Sequence, residues 1–297
     1  VFFSNSGAES IEAAIKIARN YGNHLNKDEI IAMTSSFHGR TIGALSVGSN
    51  KNYKSKIGPI PGKVKFCEFN NSKNLKKLIN KKTIAIIIEF VQGDGGINIC
   101  SQEFAKTIKE ICKKTKILLI ADEIQGGIGR TGKIFAYKHY NVSPDIITSA
   151  KGLGSGIPIG ATIVKKQISK NINVGFHGST FGGGMLQTRV AYNVFKTINK
   201  TKFLNSVKSK GILLSALLNK IQSNYTFIKD VRVKGLMAGI EFNNNQIASK
   251  IYKDTSDNGL VTTLVKGNII RITPPLIIKI EELKRGIKII SDCLNKI

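Results

Sequence analysis

The chain has 297 residues, enough for one large domain and a smaller one, with 41% apolar residues, a soluble globular balance. Its formal charge of +26 comes from lysines scattered through the sequence, with 7% aromatic residues not interleaved among them. That pattern argues against nucleic-acid binding and for anionic small-molecule substrates. No apolar run is long enough to span a bilayer, and Val1-Phe2-Phe3 followed by polar Ser4-Asn5-Ser6 reads as mid-strand, without a signal peptide. Cys67, Cys100, Cys112 and Cys293 lack metal-ligand spacing and read as reduced cytosolic thiols with no zinc site.

In chain order, Ser6 with Glu9 fits a capping box ahead of a helix patterned on Ile11, Ala14, Ile15 and Ala18. Strand-like runs fall at Glu29 to Met33, Thr83 to Ile88, Ile117 to Ala121, Asp145 to Thr148 and Ala161 to Val164, with helical patterns at Ser72 to Asn80 and Gln102 to Lys113. This alternation predicts an α/β domain whose mainly parallel sheet is covered on both faces. After Gly184 two long helices, Leu186 to Asn199 and Lys202 to Ser223, lead into short strands at Val231 to Val233, Met237 to Phe242 and Asn268 to Ile272. A final helix over Ile280 to Leu294 completes a smaller α+β unit. The division expected is 1–190 for the large domain and 191–297 for the linking helix and small C-terminal domain.

Two residues carry the first chemical signal. Asp122 ends one strand-like run and Lys151 follows the next. A carboxylate and an amine on successive strand ends are the pair that a pyridoxal-phosphate enzyme needs, one for the ring nitrogen and one for the aldehyde. The alternative is an ordinary loop lysine. Asn5-Ser6-Gly7-Ala8 at a helix start offers small residues and free amides to an anion. Phe37 could stack on a ring and Arg40 could pair with a carboxylate, or both could belong to a surface loop. His38 reads as a structural hydrogen-bonding group. Glu89 and Asp94 follow a strand C-terminus, where α/β ligand sites lie. Ser179 and Thr180 offer hydroxyls suited to phosphate oxygens, and Arg271 is either a carboxylate anchor or a structural ion-pair partner.

Gly127-Ile128-Gly129-Arg130-Thr131-Gly132-Lys133 imitates two phosphate loops. No periodic helix opens at its end, and Ile134 stands where a P-loop needs Ser or Thr. It reads as a tight turn carrying an arginine.

Taken in order, the segments at residues 1–9, 37–41, 89–96, 121–125, 129–132, 150–154, 177–183 and 271–275 resemble the class III pyridoxal-phosphate-dependent aminotransferases, closest to the acetylornithine branch. The finer pattern of Ile128 to Gly132 and Lys151 to Gly160 is similar to that branch, with ornithine, succinylornithine and diaminopimelate aminotransferases as near alternatives. The resemblance implies the type I fold of these enzymes, a large domain with a mixed, mainly parallel sheet plus a smaller α+β domain. It implies a cytoplasmic enzyme of arginine biosynthesis acting on small amino-acid and 2-oxo-acid substrates, a homodimer with shared active sites, with no nucleic-acid, membrane or metal partner. By the same resemblance Lys151 bears the cofactor aldehyde and shuttles a proton, and Asp122 pairs with the ring nitrogen. Gln125 lies near the ring hydroxyl, Phe37 stacks on the ring, and Gly7 and Ala8 hold the phosphate. Thr180 reaches the phosphate of a neighbouring subunit, Arg40 and Ser179 contact acetylornithine, and Arg271 takes the α-carboxylate of glutamate or 2-oxoglutarate. Asp94 stands where the family usually has Glu to pair with that arginine, Gly126 where it has Thr, and Gly184-Met185 where it has Asn-Pro. The family's N-terminal segment has no counterpart, so the chain is expected to be a fragment or a homologue with impaired turnover.

Overall fold

The computed structural model describes residues 1–297. Strand β1 (Phe2–Ser4) leads into helix α1 (Gly7–Asn23), then β2 (Glu29–Met33), α2 (Ile42–Val47), β3 (Lys63–Cys67), α3 (Ser72–Leu78) and β4 (Thr83–Ile88). A small ribbon of β5 (Val91–Gln92) and β6 (Asn98–Ile99) precedes α4 (Gln102–Thr115), β7 (Leu118–Asp122), β8 (Ile146–Ser149), β9 (Gly160–Val164) and the short α5 (Lys166–Ser169). The C-terminal part comprises α6 (Met185–Ile198), α7 (Thr201–Asn224), β10 (Ile228–Val233), β11 (Ala238–Phe242), α8 (Asn245–Asp257), β12 (Thr263–Val265), β13 (Ile269–Ile272) and α9 (Ile280–Leu294).

The main sheet has seven strands in the order β1-β9-β8-β7-β4-β2-β3. Strands β8, β7, β4, β2 and β3 run parallel, and β9 and β1 add antiparallel at one edge. The continuous apolar run of β4 is central, and its alternation divides two cores. Ala85 and Ile87 pack with Ile11, Ala14 and Ala18 of α1, while Ile86 and Ile88 pack with Phe104, Ala105 and Ile108 of α4. Both faces are covered, as the sequence pattern requires.

Several elements escaped that pattern, among them the short β5, β6, α5 and β12. In β3 lysines alternate with Val64 and Phe66, so this edge strand has one half-buried apolar row beside a charged one. Helix α2 is too short to show a period, and α8 buries only Ala248, Ile251 and Thr255.

The second sheet is antiparallel, in the order β10-β11-β13-β12. Its core joins Ile240, Phe242 and Ile270 to Val207, Leu214 and Leu218 of α7 and to Leu283, Ile287 and Ile290 of α9. Helix α6 packs instead against the first body, through Ala191 and Ile198 on Ile128, Phe135 and Leu153. The 190/191 division therefore falls inside α6.

Candidate active site

The C-terminal ends of β7 and β8 meet the N-terminus of α1 around a cavity of about 770 Å³. Ser6 caps α1 by accepting the Glu9 amide at 3.3 Å. The expected box closes only on that side, because the Glu9 carboxylate takes the amide of Asn5, one residue before the cap. Asn5 draws the carboxylate away from Ser6 through its side-chain amide as well (3.1 Å). The amides of Gly7 and Ala8 have no carbonyl within their own helix to receive them, and both residues line the cavity. A Cβ at Gly7 would come within 3.0 Å of Ile124, so this wall has room only for bare backbone.

Asp122 is the fixed charge on the floor. Register pairs it with Thr148 across β7 and β8, three residues before Lys151. One oxygen receives the Nδ1 proton of His38 at 2.6 Å, and the other accepts the Ile124 amide at 3.0 Å and the Thr148 hydroxyl at 3.3 Å. Burial works to lower the pKa of His38, but the hydrogen bond and charge of Asp122 and the charge of Glu89 outweigh it and raise the imidazole above 6.5. His38 is therefore a hydrogen-bonding partner, as its sequence context indicates. Glu123 turns to the opposite side, where its oxygens accept the amides of Ala136 (2.6 Å) and Tyr137 (2.8 Å). Burial pushes its pKa up to about 8 against those amides.

Lys151 opens a one-turn helix over Lys151–Leu153 with φ of 45°, a left-handed conformation unfavourable for a residue with a Cβ. It lines the cavity and is otherwise exposed, so this chain by itself does not bury the amine. The opposite wall holds Phe37, Arg40, Glu89 and Gln125. Gln125 lies directly over Gly93, where a Cβ would come 1.5 Å from its Oε1. Tyr53, which the sequence did not single out, supports this wall. Its ring meets Phe37 edge-on at 6.1 Å, and the Arg40 guanidinium lies 4.1 Å above it.

Three expected residues lie outside this cavity. Ser179 is one hydrogen bond away, accepting from the Asn5 side chain at 3.0 Å. Thr180 is exposed on the same loop. Arg271 lines a second cavity of about 850 Å³ that shares Phe37 with the first. There its Nη1 meets Asp94 Oδ1 at 2.6 Å, so the shorter acid still reaches the arginine. The Nε of Arg271 is buried without a partner, which leaves guanidinium capacity for a carboxylate ligand. The glycine-rich turn after Gln125 opens no helix. Arg130 in it donates instead to the carbonyls of Leu236 and Pro274.

A cavity with bare helix-start amides, a buried carboxylate fixed through both oxygens, an aromatic wall and a lysine has the donor set for a phosphorylated pyridine aldehyde. Residues 1–294 match the family model described as aminotransferase class-III, and the chain belongs to that family. Class III aminotransferases depend on pyridoxal phosphate. The chain is 39% identical over 302 residues to the acetylornithine/succinyldiaminopimelate aminotransferase of Photorhabdus laumondii, covering 100% of this chain and 75% of that protein. It is 40% identical over 300 residues to the acetylornithine aminotransferase of Caldanaerobacter subterraneus, covering 100% and 76%. Among solved structures, the ornithine aminotransferase of Toxoplasma gondii matches with a TM-score of 0.94 at 28% identity, over 99% of this chain and 71% of that one. An amine transaminase from an uncultivated Pseudomonas species in its PLP-bound form matches at 0.93 and 25% identity, over 99% and 76%.

Proposed function

We propose that the chain transfers the terminal amino group of N2-acetyl-L-ornithine to 2-oxoglutarate, giving N-acetyl-L-glutamate 5-semialdehyde and L-glutamate in cytoplasmic arginine synthesis. The observation that carries this reading is the convergence of buried Asp122, Lys151 and the bare start of α1 on one cavity. When bound, pyridoxal phosphate supplies an aldehyde that accepts an amino group and a ring that draws electron density from the reacting carbon.

The chain's own residues do the rest. The amides of Gly7 and Ala8 bind the phosphate at the positive end of α1. Phe37 stacks on the ring, and Gln125 donates to its hydroxyl oxygen. Asp122, which accepts hydrogen bonds on both oxygens, would pair with the ring nitrogen. Lys151 would hold the cofactor aldehyde and would move a proton to and from the amino-bearing carbon of the substrate. Arg40 and Ser179 orient the acetylated donor, and Arg271 receives the α-carboxylate of the oxo acid when Asp94 releases it.

A homodimer completes the site in this reading, with Thr180 reaching the phosphate of a second copy. Support comes from the apolar exposure beside that loop, where Phe181, Met185 and Leu186 are 74%, 91% and 65% exposed. Succinyldiaminopimelate is the second donor to consider, because the Photorhabdus relative is named for both activities.

Absorbance tests the proposal. Purified protein with pyridoxal phosphate is expected to show the visible band of lysine-bound cofactor, and Lys151→Ala is expected to abolish it. Acetylornithine should then bleach the band of the unsubstituted protein. Failure of the band to form removes the cofactor role of Lys151, and bleaching by ornithine alone removes the acetylornithine assignment.

A further inference from the structure

Glu89 is a buried acid with no task in the mechanism above. It sits just past the end of β4, is 4% exposed, and lines the cavity beside Asp122. Its Oε1 accepts the amide of Phe37 at 3.0 Å, across 52 residues of sequence. Its Oε2 accepts the amide of Gly93 at 3.3 Å. Those two amides belong to the segments that carry the ring wall and the partner of Arg271. Phe37 is the wall shared by both cavities, and Gly93 immediately precedes Asp94, whose carboxylate holds Arg271.

A buried carboxyl is an expensive way to join two loops when amide or hydroxyl groups could do so at less desolvation cost. Burial, with the charge of Asp122 adding and that of His38 opposing, pushes its pKa up to about 7. Its shape is what a neutral substitute lacks. Two acceptor oxygens on one planar group fix the spacing of two N–H donors, whereas a glutamine offers one acceptor and turns its own N–H toward the other donor. The surrounding turn does not depend on Glu89 alone. Gln92 also ties it to the loop after β2, donating to the Thr34 carbonyl at 2.7 Å.

We propose that Glu89 is a positioning residue that couples the ring wall to the oxo-acid site: by holding the amides of Phe37 and Gly93 on one carboxylate, it sets the Phe37 ring and the Asp94–Arg271 pair in register. This rests on the aminotransferase reading, in which Phe37 stacks on the cofactor and Arg271 binds the oxo acid. The tie crosses from one substrate's pocket to the other's, so its loss acts unequally on the two half-reactions.

The test is Glu89→Gln in the cofactor-loaded enzyme, read by circular dichroism in the visible cofactor band and by KM for 2-oxoglutarate and for acetylornithine. The expected result is a changed band dichroism, with KM for 2-oxoglutarate rising about fivefold, in the range for one lost net hydrogen bond, and more than KM for the donor. Glu89→Asp keeps the charge but is too short to span both amides, and is expected to show the same split; it provides the readout if the glutamine variant does not fold. Unchanged dichroism with unchanged KM values, or equal losses for both substrates in proportion to folded protein, overturns the coupling. Absence of the band in unsubstituted protein overturns the functional reading instead, so the two failures are distinct.

Discussion

His38 Nδ1 and Asp122 Oδ2 lie 2.6 Å apart, both essentially removed from solvent. The imidazole is drawn toward its protonated form by that carboxylate, against the opposing effect of burial, and both side chains line the cavity. Replacing His38 with Leu leaves Asp122 Oδ2 buried without its donor, which costs about 1–3 kcal/mol and weakens the carboxylate's hold on a ring proton. The expected outcome is a fall in kcat of about tenfold or more, with a lower thermal midpoint; activity kept at the unsubstituted level removes His38 from the catalytic arrangement.

Tyr53 carries two residues of the opposite wall. Tyr53→Leu removes the surface on which Arg40 rests at 4.1 Å, an interaction of about 0.5–2 kcal/mol. KM for the donor is expected to rise roughly two- to thirtyfold by that magnitude. Steady-state kinetics with acetylornithine check it, and an unchanged KM means that Arg40 orients itself without the ring.

The Asp94–Arg271 pair is a single-contact ion pair at 2.6 Å. Asp94→Asn removes the charge that competes with an incoming carboxylate, so KM for 2-oxoglutarate is expected to fall by about two- to fivefold. Productive binding of the donor is expected to suffer, since Arg271 is no longer held aside. A rise in KM for 2-oxoglutarate means that Asp94 orients Arg271 for the oxo acid instead of occupying it.

Stability should depend on pH with a definite sign. The carboxyls of Glu89 and Glu123 are raised from 4.5 to about 7 and about 8, and His38 is raised above 6.5. Each group therefore binds its proton more tightly in the folded chain than in the unfolded one. These contributions are complete below the unfolded values and are lost as pH rises through the folded ones. The lowered Asp28 and Glu241 act in the acid range, where their stabilisation is lost as pH falls. The lowered His139 and His177 act in the opposite sense below about pH 6.5, so it is from about pH 6.5 to about pH 8 that the cofactor-free protein should lose stability, at about 2–4 °C of midpoint per kcal/mol. Glu123→Gln is expected to flatten the slope, and a midpoint that climbs with pH contradicts the assignment.

Much of this molecule could be read from residue order, for reasons that differ by element. Strand β4 was legible to the residue because an uninterrupted apolar run between polar neighbours has one use in an α/β sheet. Helix α9 was legible because its apolar period is unbroken. Asp122 and Lys151 were legible as a pair, because strand ends fix where side chains emerge. Tyr53 was not: it lies in a Lys- and Asn-rich loop, and its role comes from folding back onto Phe37. Nor could the sequence show that Glu9 would serve Asn5 in place of Ser6, since both candidates for its carboxylate are adjacent amides. The second cavity was also hidden, because it is formed by the β12–β13 hairpin meeting the loop after β2, which are distant in sequence.

Arg130 belongs to the first body by sequence and to the second by its bonds. Its guanidinium donates to the carbonyls of Leu236 and Pro274, and its own carbonyl accepts the Leu236 amide at 3.0 Å. The turn at residues 126–132 is therefore held by both bodies: Ile128 packs with Phe135 and Leu153 of the first, while Arg130 is bonded to Leu236 and Pro274 of the second. The bonds of Arg130 thus clasp the two sheets together five residues from Gln125, at the edge of the cavity.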